Sequence, residues 1–273
     1  MGTTPRLRER WPLWVIDGFL LGLFMFAVAV FVGLIESPAS SLHALLPSPL
    51  VRRGLVGAGM GLTAIALIYS PLGERSGAHM NPAVTLGFLR LGRIRPLDAC
   101  GYVVCQFAGG VAGATIGGVV AGPLFTDEPV RYAPTVPGVW GVPAAFAAEV
   151  AMTFILMSTV LYASNTRRLA RWTGVFAGVL LFTFITVESP VSGMSLNPAR
   201  TLASAVPAGV HDALWMYFAA PTLGVLAAAE VFRNLRVLPR VHCCKLNHCG
   251  PGVCPHCGCD GPIHFEAHTD DPR

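Results

Sequence analysis

Ser76-Gly77-Ala78-His79-Met80-Asn81-Pro82-Ala83-Val84-Thr85-Leu86 and Ser192-Gly193-Met194-Ser195-Leu196-Asn197-Pro198-Ala199-Arg200-Thr201-Leu202 are two versions of one eleven-residue segment, identical at seven positions. One Asn-Pro-Ala is a cheap coincidence, but two in a shared context argue for duplication of half a chain. Asn81 and Asn197 are suited to capping a helix, and Pro82 and Pro198 fall at the first helical position, where a missing N–H costs nothing. The apolar run after each motif, Ala83 to Phe88 and Ala199 to Val206, is too short to cross a bilayer. Each copy is therefore expected to be a re-entrant half-helix preceded by extended backbone. Such backbone is tolerated at membrane depth only where protein buries it or where it lines a water-filled cavity. Two capped surface helices would explain Asn and Pro, but not the matched Ser-Gly preludes or the apolar flanks.

Around these motifs lie apolar stretches near residues 12–35, 54–70, 97–122, 143–163, 172–187 and 212–232, each close to the length a spanning helix needs. With 53% apolar and 12% charged residues, the chain cannot easily cover a soluble globule, and lipid is the better solvent. The first stretch follows Arg6, Arg8 and Arg10 but is too long for the apolar core of a signal peptide, so it reads as a retained span. The runs are uniformly apolar rather than alternating, which argues against a β-barrel. The expected fold is an all-α membrane protein with six transmembrane helices and two re-entrant half-helices. Three spans per half force the copies to enter from opposite faces, an inverted repeat. The expected organisation is a segment 1–11, a channel domain 12–235 with repeats at about 12–122 and 143–235, and a tail 236–273.

Basic residues set the orientation. Arg6, Arg8, Arg10, Arg75, Arg90, Arg93, Arg95, Arg167, Arg168, Arg171 and the tail from Arg233 share one side, against Arg52, Arg53 and Arg131 on the other. Both termini are expected to be cytoplasmic. A net charge of +4 reflects this bias and implies no nucleic-acid partner.

Paired motifs, six spans and the Asn-Pro-Ala-Arg of the second copy resemble the major intrinsic protein family of aquaporins and aquaglyceroporins over roughly residues 10–235. The resemblance implies a homotetramer in a cell membrane, with one pore per subunit and no cofactor. Half-helix N-termini would point partial positive charge at the pore centre, as in aquaporin-type pores, opposing cations and protons. Arg200 would add to this from the first turn of the second half-helix, a costly position for a cation. The family's constriction maps here to Met60, Ile185, Met194 with Ser195, and Arg200; an ungapped count replaces Met60 by Gly61. Asp17 and Glu149 fall where the family places acids that brace the half-helix loops, and in isolation they also suit proton coupling in a transporter. Gln106, with Gly109, Gly113 and Gly117, matches the third span and equally suits close helix contact. Carbonyls of Gly77, Ala78, His79 and Gly193, with Met194 and Ser195, would form an acceptor ladder along the pore. His79 reads as a pH gate or as a structural loop residue. Thr201 and the pair Tyr217-Phe218 lean towards water-type members, while the Met, Ile and Arg filter is less polar than the water-specific kind.

The expected activity is passive permeation of water, with facilitation of small uncharged solutes such as glycerol or urea as the alternative, and no covalent chemistry. An ion- or proton-coupled transporter and a metal-responsive membrane sensor are less favoured. The sensor reading comes from the tail, where His242, Cys243, Cys244, His248, Cys249, Cys254, His256, Cys257 and Cys259 crowd together. Cytoplasmic thiols stay reduced, so zinc ligation competes with a redox-sensitive unstructured tail. Cys254-Pro-His256-Cys257 has zinc-type spacing, to be completed by Cys243, Cys244 or Cys249, with Cys259 nearby. Similar ends occur in some bacterial channels of the family, which hints at a bacterial inner membrane. Cys100 and Cys105 read as inert small residues of the third span.

Overall fold

The computed structural model describes residues 7–235, 237–248 and 254–258. Its helices, in chain order, are α1 (Leu7–Glu36), α2 (Ser41–Ala44), α3 (Pro49–Tyr69), α4 (Pro71–Ser76), α5 (Pro82–Arg90), α6 (Pro96–Ala121), α7 (Pro123–Thr126), α8 (Gly141–Ser164), α9 (Thr173–Ser192), α10 (Pro198–Ala208) and α11 (Leu214–Asn234). A 3-10 turn at Ala170–Trp172 precedes α9. Proline punctuates these starts: α3, α4, α5, α6, α7 and α10 each carry it in the first turn. Four of those also have a Ser or Asn whose side chain caps the turn, at Ser48, Ser70, Asn81 and Asn197.

Six helices, α1, α3, α6, α8, α9 and α11, are long and apolar enough to cross a membrane. The fifth extends to Ser192 and the second begins at Pro49, several residues beyond the apolar runs that announced them. α5 and α10, with nine and eleven residues, are about 14 and 17 Å long at 1.5 Å per residue. End to end they make roughly one 30 Å span.

α1 packs along α6 in the first half and α8 along α11 in the second, while the halves meet where α3 packs on α9. The α1–α6 contact is backbone against backbone. A Cβ on Gly109 would stand 2.0 Å from the Gly18 carbonyl oxygen, and one on Gly113 2.1 Å from that of Gly22. In lipid, where apolar burial drives helices together only weakly, such close approach is a main source of association. Polar residues are sequestered inside, including Asp17, Ser76, Thr85, Gln106, Glu149, Ser192 and Ser204, each fully buried. Val15, Phe19, Leu62, Val104, Val119, Val187 and Leu223 face outward, an apolar exterior that suits hydrocarbon and not water.

Candidate functional site

The two half-helices bring their N-termini together. Asn81 accepts from the Ala83 N–H at 2.9 Å through its side-chain oxygen and donates its amide to the Leu196 carbonyl at 2.8 Å. Asn197 mirrors it, accepting from Ala199 at 3.0 Å and Arg200 at 3.2 Å, and donating to the Met80 carbonyl at 2.7 Å. Each asparagine thus caps its own helix and ties down the opposite loop. A carboxamide has two N–H groups, so each retains one beyond this cross-tie. Pro82, Ala83, Pro198 and Ala199 are buried behind the caps.

The preceding loops are not extended, as the sequence suggested, but alternate through left-handed backbone. Gly77, Ala78 and Met80 have φ of 102°, 54° and 47°, and Gly193, Met194 and Leu196 of 76°, 52° and 57°. Such geometry costs a non-glycine residue about 1–2 kcal/mol. It turns successive N–H groups onto a buried acid. Asp17 accepts from the His79 and Met80 N–H groups at 2.9 and 2.8 Å, from the Ser76 hydroxyl at 3.2 Å and from Gln106 at 2.7 Å. Glu149 accepts from the Ser195 and Leu196 N–H groups and the Ser192 hydroxyl, all at 2.7 Å. The hydroxyls of Tyr102 and Tyr217 donate to the Ser76 and Ser192 carbonyls, completing the symmetry. Sequence reasoning missed these tyrosines as braces. It also missed Glu188, whose carboxylate shares the Ser192 hydroxyl at 3.0 Å.

A cavity of about 290 Å3 runs between the loops. Met60, Ile185, Met194, Ser195 and Arg200 all border it, as do Asn81, Asn197, Ala78, His79 and Gly193. Its remaining wall is mainly aliphatic, with Val28, Val56, Ala64, Ile68, Leu156 and Leu181 among the contributors. Gly61 is not on it: a Cβ there would stand 2.6 Å from the Gly178 carbonyl oxygen of α9, so that position serves the α3–α9 contact and Met60 faces the cavity. Arg200 Nη1 donates to the Ala133 carbonyl at 3.1 Å, which fixes the guanidinium at the wall. Glu36 and Arg53 border the cavity as well; they were not anticipated, because each stands at the margin of an apolar run.

At the other end lies the tail. Leu246 borders the cavity and is only 6% exposed. Its N–H donates to the Gly77 carbonyl at 3.1 Å. Gly77 therefore departs from the expected acceptor ladder: its carbonyl is taken and it does not border the cavity. His79 Nε2 donates to the Cys244 carbonyl at 2.8 Å, while Nδ1 lies 3.0 Å from the Thr85 hydroxyl. Both ring nitrogens are engaged, which favours the structural reading over a free pH sensor.

The thiol cluster also differs from the expected set. Cys243, His248, Cys254 and Cys257 place their ligand atoms within 4.8 Å of one another, and His248 was not among the expected ligands. Cys244 instead offers its carbonyl to His79, and His256 lies 3.2 Å from the Ser76 carbonyl. Cys249 and Cys259 lie outside the described residues. Burial opposes a charged His248, yet hydrogen bonds with Cys254 and Cys257 push it up to about 9. Hydrogen bonds with Cys243 and Cys257 hold Cys254 far below the ordinary thiol range. Burial pushes His256 down.

The sequence signature described as "Major intrinsic protein" matches residues 18–232. The chain belongs to the major intrinsic protein family. Nodulin-26 of Glycine max is 34% identical over 178 residues, covering 64% of this chain and 63% of the relative. Aquaporin NIP1-1 of Arabidopsis thaliana is 35% identical over 183 residues, covering 64% and 60%. The chain thus spans about three fifths of the length of these curated relatives. The solved structure of the aquaglyceroporin from Plasmodium falciparum has the same fold, with a TM-score of 0.68 over 83% of this chain and 95% of that one, at 18% identity. This family member is a multi-pass membrane protein. The bacterial source suggested by its Cys/His-rich end is not borne out, because these relatives come from plants.

Proposed function

We propose that the chain is a passive channel that admits water and rejects ions and protons. The observation that carries this reading is the reciprocal tie at the cavity, Asn81 to the Leu196 carbonyl and Asn197 to the Met80 carbonyl. It holds two helix N-termini face to face, so their partial positive charges converge where a cation would pass. Each asparagine's second N–H is available to a passing oxygen. Proton wires need each water to donate and accept in sequence, and a water accepting from both asparagines presents its hydrogens away from its neighbours' lone pairs. Met60, Ile185, Met194, Ser195 and Arg200 form the selective constriction, with Ala78, His79 and Gly193 contributing polar backbone beside it.

A second reading, passage of small uncharged solutes, is favoured by the aliphatic wall. Met60, Ile185 and Met194 offer no hydrogen bonds to replace hydration, which disfavours water relative to a solute with apolar carbon. The related proteins named aquaporin support either reading. Proton-coupled transport is disfavoured because Asp17 and Glu149 are saturated with donors from loop backbone, in positions that brace rather than exchange. Both termini on the cytoplasmic side, and assembly as a homotetramer with one channel per subunit, complete the proposal.

Light-scattering of proteoliposomes after an osmotic step tests it, using water, urea and glycerol in turn. Entry faster than into empty liposomes for water alone supports the water channel, and a matching gain for urea or glycerol supports the second reading. Uptake that requires a proton gradient would replace both with a transporter.

A further inference from the structure

The tail was expected as a separate cytoplasmic segment, but its described residues are built into the mouth of the cavity. Cys243 Sγ and Cys254 Sγ are 3.6 Å apart, and His248 Nε2 is 3.2 Å from Cys257 Sγ. An ion with metal–sulfur bonds near 2.3 Å and metal–nitrogen bonds near 2.1 Å sets tetrahedral S···S edges of about 3.8 Å and S···N edges of about 3.6 Å. These two distances lie within a few tenths of an ångström of those edges, and all four ligand atoms lie within 4.8 Å of one another, so closing on such an ion takes side-chain adjustments of up to about 1 Å. Three thiols and one imidazole are a soft donor set, suited to zinc-class cations and not to magnesium or calcium. Cys243 and Cys254 are both 3% exposed, while His248 and Cys257 remain partly open to solvent, so the site is shielded on one side and accessible to an ion on the other.

The residues between the first two ligands are those that touch the channel. His242 N–H donates to the Asn165 side chain at 2.8 Å, just before Cys243. Cys244 offers its carbonyl to His79, Leu246 N–H binds the Gly77 carbonyl, and Asn247 donates to Glu74 at 2.9 Å. His248 then returns to the cluster. Fixing Cys243 and His248 on one ion therefore fixes Leu246 between them, against the cavity. A segment with no helix or strand pays conformational entropy to hold that pose, and metal coordination is a source of ordering free energy that a few hydrogen bonds do not match.

We infer that Cys243, His248, Cys254 and Cys257 bind a zinc-class divalent cation, and that the loaded clasp seats Leu246 as a plug in the channel mouth. The plug rests on the channel reading; the metal site does not.

The site is tested by anaerobic titration of the full-length, reduced, metal-free protein with Co2+. The expected result is thiolate-to-cobalt charge-transfer absorption with tetrahedral d–d bands, saturating at a single ion per chain and reversed by Zn2+. Both signals are lost in the double variant Cys254→Ser/Cys257→Ser. An octahedral spectrum, no binding, or binding that survives the double variant overturns the site. The plug is tested by osmotic shrinkage of proteoliposomes carrying zinc-loaded or chelator-stripped protein. Stripping is expected to raise permeability towards that of a chain lacking residues 241–273, and zinc is expected to leave the double variant unchanged. Equal rates for loaded and stripped protein overturn the plug. A rate that answers to a thiol oxidant but not to zinc overturns metal control in favour of disulfide formation. If the truncated chain is no more permeable than empty liposomes, the channel reading fails, and the cobalt titration still decides the site.

Discussion

Replacing Glu149 by Gln changes one atom at the centre of the second loop's support. The carboxylate is fully buried and accepts from Ser192 and Ser195 on Oε1 and from Leu196 on Oε2. Glutamine can keep an oxygen on one side only. If it faces the serines, two charge-assisted bonds become neutral ones, each weaker by about 1 kcal/mol. The Leu196 N–H then meets another donor, and an orphaned buried donor costs about 1–3 kcal/mol. A carboxamide is cheaper to bury than a carboxylate, which offsets part of this, leaving a net loss of about 2–4 kcal/mol in the local stability of residues 193–197. Since 1.4 kcal/mol is tenfold, opening of that loop should become at least roughly thirtyfold more frequent. Amide hydrogen exchange followed by mass spectrometry in nanodiscs reads this directly. Peptides covering Ser195 and Leu196 should exchange faster by that factor, while peptides within α1 and α6 stay unchanged. Unchanged exchange at 193–197, together with loss of a proton-driven flux, would refute the bracing role and make Glu149 a coupling acid.

Arg200→Ala should admit cations and protons: at an effective dielectric of about 20, a unit charge about 6 Å from the guanidinium is repelled by about 2.8 kcal/mol, so conductance should rise roughly a hundredfold in planar bilayers. Met60→Ala combined with Ile185→Ala should widen the constriction and raise glycerol entry more than water entry, read by light scattering of reswelling vesicles; equal gains would place the selective point elsewhere. Gly109→Val puts side-chain carbon where the Gly18 carbonyl oxygen already stands 2.0 Å from a Cβ. It should cost well over the 1–3 kcal/mol of ordinary overpacking and sharply lower the yield of folded protein in size-exclusion chromatography.

Much of this architecture was legible in the sequence because local chemistry announces it. Asn81-Pro82 and Asn197-Pro198 read as capped helix starts, and both are; the short apolar runs after them read as half-helices, and α5 and α10 are close to the expected length. Met60 needed the structure to separate it from Gly61, since only the packing of Gly61 on Gly178 shows which of two neighbours turns away from the cavity. The left-handed loops were not legible, because a run such as Ala78-His79-Met80 has no propensity for that geometry. Asp17 imposes it from 62 residues away in sequence. The tail was the least readable part. Spacing alone suggested Cys254 and Cys257, but the choice of His248 over Cys244 and His256 depends on contacts with His79, Gly77 and Ser76, up to 180 residues distant. Leu246 gave no signal at all, since an aliphatic residue becomes a plug only through what it is held against.

The channel proposed here is a narrow, ion-excluding path for neutral molecules between Asn81 and Asn197. Stopped-flow osmotic shrinkage of proteoliposomes, with the chain lacking residues 241–273 so that the tail cannot obstruct the mouth, measures it most directly. Shrinkage well above that of empty liposomes is expected, with no dissipation of an imposed proton gradient over the same interval. Shrinkage equal to that of empty liposomes would rule out such a path, and collapse of the proton gradient alongside faster shrinkage would rule out its exclusion of protons.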